Sequence, residues 1–258
     1  SAGFVNGQEL TFLLLITDKL TIPVGFAFYS PDPDYTEWRK IDKMLRKQLV
    51  PKSKRPSKPI PNIKYPSKLE VAIKLIQDFK NNHPNILVQA ILADALYGAS
   101  NFIIPVMKIY PRVQIVSQAK STQKVKHRNK YITVKEYFEQ NKGVPAKLKI
   151  RGGIDKNVTM HGARLYLKAH KAKRFIVALK YPEEEKYRYL LGVELTWRLT
   201  DIATAYTLRW LVEVFIQDWK SYEGWCQLAI QPDYDGSCRG VTLSLLLDHC
   251  LLLHPEQK

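Results

Sequence analysis

The chain has 258 residues, 45% hydrophobic and 25% charged, which are ordinary values for a folded globular protein. Forty Lys and Arg against twenty-four Asp and Glu give a net charge of +16. A field of that sign attracts polyanions, nucleic acid first among them, with ribosome association and anionic membrane surfaces as the other classes. The longest apolar runs, Leu10–Ile16 and Val241–Leu253, are too short or too interrupted to span a bilayer, and Ser1–Gln8 has neither the basic nor the apolar segment of a secretory leader. Cys226, Cys238 and Cys250 are spaced for neither a disulfide framework nor a metal knuckle, so free buried thiols in a reducing cytoplasm are expected.

Leu10–Thr17 and Thr21–Tyr29 are apolar, β-branched and aromatic around Asp18-Lys19, and predict an antiparallel hairpin closed off by Ser30–Asp34. Thr36–Leu49 predicts a helix. Pro51–Lys68, rich in Pro, Lys and Arg, predicts an exposed basic loop. Ser67–Asn81 has helical apolar spacing with Ser67 as N-cap. Ile86–Ala93 is a continuous apolar run, as in a strand buried on both faces, and delivers Asp94 to its C-terminal end. Ala95–Tyr110 follows as a helix with Pro105 as a kink or boundary, then a strand at Arg112–Ala119. Lys120–Lys130 is basic and polar, and Tyr131–Lys180 is mixed and β-rich with a helix near Thr133–Asn141. Strands are predicted at Arg174–Lys180 and Tyr187–Leu195, a long helix at Leu199–Trp225 and a second apolar helix at Gly240–Leu253. The order implies an α/β fold.

At about 100° per residue, Tyr206, Arg209, Glu213 and Lys220 fall within about 60° of one another on one helix face. A carboxylate there can ligate a divalent metal, while the two cations and the phenol hold phosphate oxygens beside it. A solvated face with incidental charge pairing is the alternative that geometry alone leaves open. Trp197 is expected in the core or as a base-stacking residue, and Trp210 and Trp219 as packing residues.

The spacing Tyr-x2-Arg-x3-Glu-x6-Lys from Tyr206 to Lys220 resembles the signature of DDE-type transposases of bacterial insertion sequences. Leu92-Ala93-Asp94-Ala95-Leu96-Tyr97-Gly98 resembles the family's second aspartate in its small-Asp-small-x-Tyr setting. The resemblance implies a ribonuclease-H-like core, a mixed sheet flanked by helices, with a β-rich insertion over 120–172 between core segments 1–119 and 173–258. It implies Asp94 and Glu213 as catalytic metal ligands for Mg2+, with Mn2+ as substitute, and Tyr206, Arg209 and Lys220 as contacts to end phosphates. It also implies double-stranded DNA as substrate and a homodimer on that DNA. The family's first aspartate should lie on a strand before Leu10, and Asp18, Asp32 and Asp34 do not fit it, so the first sheet strand is expected to be missing. The alternative readings are a ribonuclease-H-like nuclease without strand transfer and a non-catalytic DNA-binding remnant.

Overall fold

The hairpin forms where the alternation places it, with β1 at Glu9–Ile16 and β2 at Thr21–Tyr29. Thr17 Oγ1 accepts from the Leu20 N–H at 2.9 Å and closes the turn. The antiparallel ladder skips one residue between Leu13 and Leu14, opposite Gly25 and Pro23. A bulge at that point accommodates a proline, which has no N–H to give to a ladder. The computed structural model describes residues 9–150, 153–222 and 233–254.

Helix α1 (Pro33–Lys47) begins on Asp32, whose carboxylate accepts from the Asp34 and Tyr35 N–H groups, with proline at the first helical position. Helix α2 (Lys68–Asn82) begins on Ser67 as the sequence predicts. Glu70 completes a capping box by accepting the Ser67 N–H at 2.7 Å. Those bonds from the Ser67 side chain and backbone hold the Glu70 carboxyl below its ordinary range.

The remaining strands are β3 (Ala90–Leu92), β4 (Gln114–Gln118), β5 (Lys124–His127), β6 (Lys130–Thr133), β7 (Val144–Lys149), β8 (Asp155–Leu167), β9 (Ala172–Lys180) and β10 (Arg188–Gly192). They form one eight-stranded mixed sheet in the order β3-β4-β10-β9-β8-β5-β6, with β7 also on β8. Only the β3–β4 pairing is parallel. One face packs against α2, α3 (Ser100–Ile109) and α4 (Val134–Gln140) through Ile76, Phe102, Val106 and Phe138. The other packs against α5 (Leu199–Thr207) through Ile202 and Ala203. The fold is therefore α/β, a mixed sheet with helices on both faces. A third cluster joins the hairpin residues Phe12 and Phe26 to α6 (Leu211–Ser221) and α7 (Tyr234–Leu253) through Phe215, Trp219, Val241 and Leu245.

Several sequence expectations need correction. The run Ile86–Ala93 yields a strand of three half-buried residues, and Leu87 is 93% exposed, because β3 is the sheet edge and pairs only with β4. The helix expected from Ala95 begins at Ser100, since Ala95–Tyr97 is a separate 3-10 turn, and Pro105 lies inside the helix. Lys120–Lys130 is not featureless. It holds the β5–β6 hairpin, turned by Arg128 and Asn129 at φ 44° and 64°. The two left-handed residues match the strand twist, and Val125 points into the core between outward lysines. The strands of the 120–172 segment continue the large sheet, with β8 laddered to β9 from Thr159 opposite Lys180 to Leu167 opposite Ala172.

The hairpin lies outside the eight-stranded sheet. Among the described residues β1 pairs only with β2, and β3 only with β4. No helix among them is long and apolar enough to cross a membrane.

Candidate active site

Asp94 follows β3 and is exposed. Its Oδ1 accepts the Ala95 N–H at 2.5 Å and caps the 3-10 turn, while its carbonyl accepts from the Ser117 hydroxyl at 2.7 Å. The turn is pressed onto β4: a Cβ built on Gly98 would stand 2.3 Å from the Gln118 carbonyl oxygen. Buried His170 fastens the same residue from outside, its Nε2 lying 3.1 Å from the Gly98 oxygen. Gly98→Ala should therefore displace the loop carrying Asp94 and cost about 1–3 kcal/mol, read by urea unfolding. A wild-type midpoint would show that the loop yields freely.

The other half of the site is the predicted helix Leu199–Trp225, and it is not continuous. Residues Leu208–Trp210 form a 3-10 turn between α5 and α6. At Thr207, Leu208, Trp210 and Leu211 ψ lies between −29° and −19°, shallower than in an α-helix. The Thr207 hydroxyl donates to the Thr204 carbonyl at 2.6 Å, a back-bond that bends helices. Three residues at about 120° instead of about 100° rotate all that follows by about 60°. The end expected at Trp225 lies outside the described residues, as does Cys226. Of the other two cysteines, Cys238 is half-buried, but Cys250 is exposed because it lies on the outer face of α7.

The break still leaves three of the four signature residues in contact. Arg209 Nη1 donates to Glu213 Oε1 at 2.6 Å, and the guanidinium lies 5.8 Å from the centre of the Tyr206 ring. Burial works against the Arg209 charge, but the Glu213 hydrogen bond and the negative field of Glu213 and Asp94 outweigh it and raise the pKa. Burial also raises the Tyr206 phenol, with Asp94 adding to the shift and Arg209 and Gln118 opposing it. Tyr206 is thus a neutral donor at physiological pH. The Asp94 charge reaches both residues as a minor influence, which puts the end of β3 in the neighbourhood of the α5–α6 junction. Lys220 stands apart, exposed and two turns beyond Glu213 on α6.

Two features were not foreseen. Trp210, expected to pack, is 63% exposed, because the 3-10 turn swings it outward. It borders a cleft of about 310 Å³ shared with Tyr181, Arg188, Tyr206 and Arg209. Gln118 at the end of β4 stands beside the Tyr206 phenol, a contact that spacing along the chain cannot reveal. Trp197 is half-buried against the sheet's second face, and Trp219 is buried.

Glu213 Oε2 is buried and has no hydrogen-bond partner. A carboxylate oxygen in that state suits a cation, and with Asp94 it offers the hard oxygen donors that Mg2+ prefers. Among the described residues no three His, Cys, Asp or Glu side chains gather into a metal-binding group. No protein-family model matches the chain, and a search of the curated proteins finds no match either.

Proposed function

We propose that this chain is the catalytic core of a DDE-type DNA transposase, cutting and joining phosphodiester bonds at the ends of an insertion sequence. The observation that carries the reading is the contact of Tyr206, Arg209 and Glu213 at the α5–α6 junction, with Asp94 at the end of β3 near enough for its charge to reach Tyr206 and Arg209. A mixed sheet with the aspartate at the end of a parallel strand, and the glutamate on the helix that follows the one covering the sheet's second face, is compatible with a ribonuclease-H-like core.

In this reading Asp94 and Glu213 hold Mg2+, or Mn2+ in its place. The bound metal supplies activation of the attacking oxygen and stabilisation of the leaving one. The chain's own residues do the positioning. Arg209, fixed by Glu213, presents its remaining guanidinium N–H groups to a phosphate, and Tyr206 donates its phenolic proton to the same group. Lys220 neutralises backbone charge two turns away. A dimer on paired DNA ends is part of the proposal. The test is a strand-transfer assay with the full-length protein on a donor carrying its own element's ends, comparing wild type with Glu213→Gln. Metal-dependent cleavage that survives the substitution refutes the reading. Cleavage without joining leaves only the nuclease alternative.

A further inference from the structure

We infer that α1 and the proline-rich strap after it, Pro51–Pro66, form a preorganised surface for the phosphate backbone of duplex DNA, built from residues that take no part in the Asp94–Glu213 site. Residues 33–66 hold ten Lys and Arg against three acids, so 10 − 3 = +7 of the chain's +16 sits on this short stretch. One of the acids is hidden. Asp42 is buried and receives Arg46 at 2.8 Å and Arg55 at 3.0 Å. Arg39, Lys40, Lys43 and Lys47 on α1, with Lys52 and Lys54 on the strap, are exposed and have no carboxylate within 4.0 Å among the described residues.

A run of charge that merely solvates a loop needs no fixed shape, and this one has a shape. Trp38 Nε1 donates to the Pro56 carbonyl at 2.9 Å, stitching the middle of the strap to the helix. The Arg55 and Asp42 side chains are only 14% and 11% exposed, a second and largely dry fastening. Tyr35 stacks on Trp38 at 5.4 Å between ring centres, and the Lys58 ammonium sits 5.1 Å above the centre of the Tyr35 ring. Five prolines, at 51, 56, 59, 61 and 66, stiffen what lies between. The lysines are therefore held in place before any partner arrives, which lowers the ordering cost of binding.

The dimensions and chemistry fit a duplex. Helix α1 is about 22 Å long, and along that length a duplex presents roughly a dozen phosphate charges. A membrane surface needs a continuous apolar helix face. The strap meets α1 at Trp38, and the exposed apolar side chains, Ile41 and Met44 on α1 with Leu49, Ile60 and Ile63 beyond it, are interrupted by lysines and spread along the connecting chain. The choice of DNA rests on the reading of the active site given above.

The test is the affinity of the full chain for a random-sequence 30-base-pair duplex, by fluorescence anisotropy across a salt series. The triple variant Lys43→Gln, Lys52→Gln, Lys54→Gln should bind roughly 10²–10³-fold more weakly at 0.1 M salt and flatten the log–log salt slope by up to about 2.7. Trp38→Phe keeps every charge and removes only the stitch to Pro56, so it should keep the slope and lose about 2–10-fold in affinity. A triple variant with the wild-type slope overturns the proposal. So does a wild type that binds phosphatidylserine vesicles in preference to the duplex. Cleavage is measured separately, with the full-length wild-type protein on a donor carrying its own element's ends. No cleavage with a strap-dependent slope sinks the active-site reading alone; cleavage with an unaltered slope in the triple variant sinks this one alone.

Discussion

Trp219→Ala should lower the unfolding free energy by about 3–5 kcal/mol, the largest stability loss expected of any single truncation here. Trp219 is 1% exposed and is the largest fully buried side chain among the described residues. Its ring meets Phe12 edge-on at 5.0 Å and lies nearly parallel to Phe215 at 6.3 Å. Its Nε1–H donates to Ser244 Oγ at 2.8 Å, and that hydroxyl donates in turn to the Val241 carbonyl. One side chain thus ties α6, α7 and the β1–β2 hairpin together. The hairpin has no ladder to the large sheet, so this cluster and α2 are what hold it. Truncation should accordingly speed hydrogen exchange at Thr11–Leu15 more than at Ile176 and Val177, in the middle of the large sheet. Trp219→Phe restores most of the apolar contact and loses the hydrogen bond to Ser244, an expected cost of about 1–2 kcal/mol. A urea midpoint for the alanine variant within about 1 kcal/mol of wild type would show that the cluster does not fasten the hairpin.

Glu213→Gln should reduce strand transfer by at least about 100-fold, since even supporting groups around a catalytic metal are worth 10–100-fold. Its stability cost should be small. The Arg209–Glu213 pair spans one helical turn and is partly exposed, and such pairs contribute about 0.3–0.5 kcal/mol. Glutamine keeps an oxygen for the Arg209 N–H while removing the charge that would bind a cation. A large loss of strand transfer with a near-native melt separates a chemical role from a structural one. If melting and strand transfer fall together, Glu213 is a brace for Arg209 and nothing more.

The readable parts of this molecule are those where local chemistry decides the outcome. The hairpin, the Ser67 cap and the two separate helical segments that carry Tyr206 and Glu213 follow from alternation, capping residues and 3.6-residue spacing. The failures occur where the tertiary setting overrides such signals. The apolar run before Asp94 looks like a central strand, but the sheet gives β3 only one neighbour. The bend at Leu208–Trp210 depends on one threonine hydroxyl turning back onto a carbonyl, which a periodicity argument averages away. Lys120–Lys130 shows alternation at one buried position only, Val125, too little for its charges not to obscure. For the site, the spacing set Arg209 one turn from Glu213, and the two are hydrogen-bonded. Gln118 beside Tyr206, and the outward swing of Trp210, depend on how β4 meets the α5–α6 junction, and no stretch of sequence contains that.

The central claim is that Asp94 and Glu213 share a cation, and Mn2+-induced broadening of backbone amide resonances reads this without requiring catalysis. In the wild type, amides around Ala93–Leu96 and around Leu211–Val214 should broaden together as Mn2+ is added. Asp94→Asn or Glu213→Gln should each abolish the effect at both segments. Broadening at one segment alone, or broadening that persists in either variant, would contradict the account.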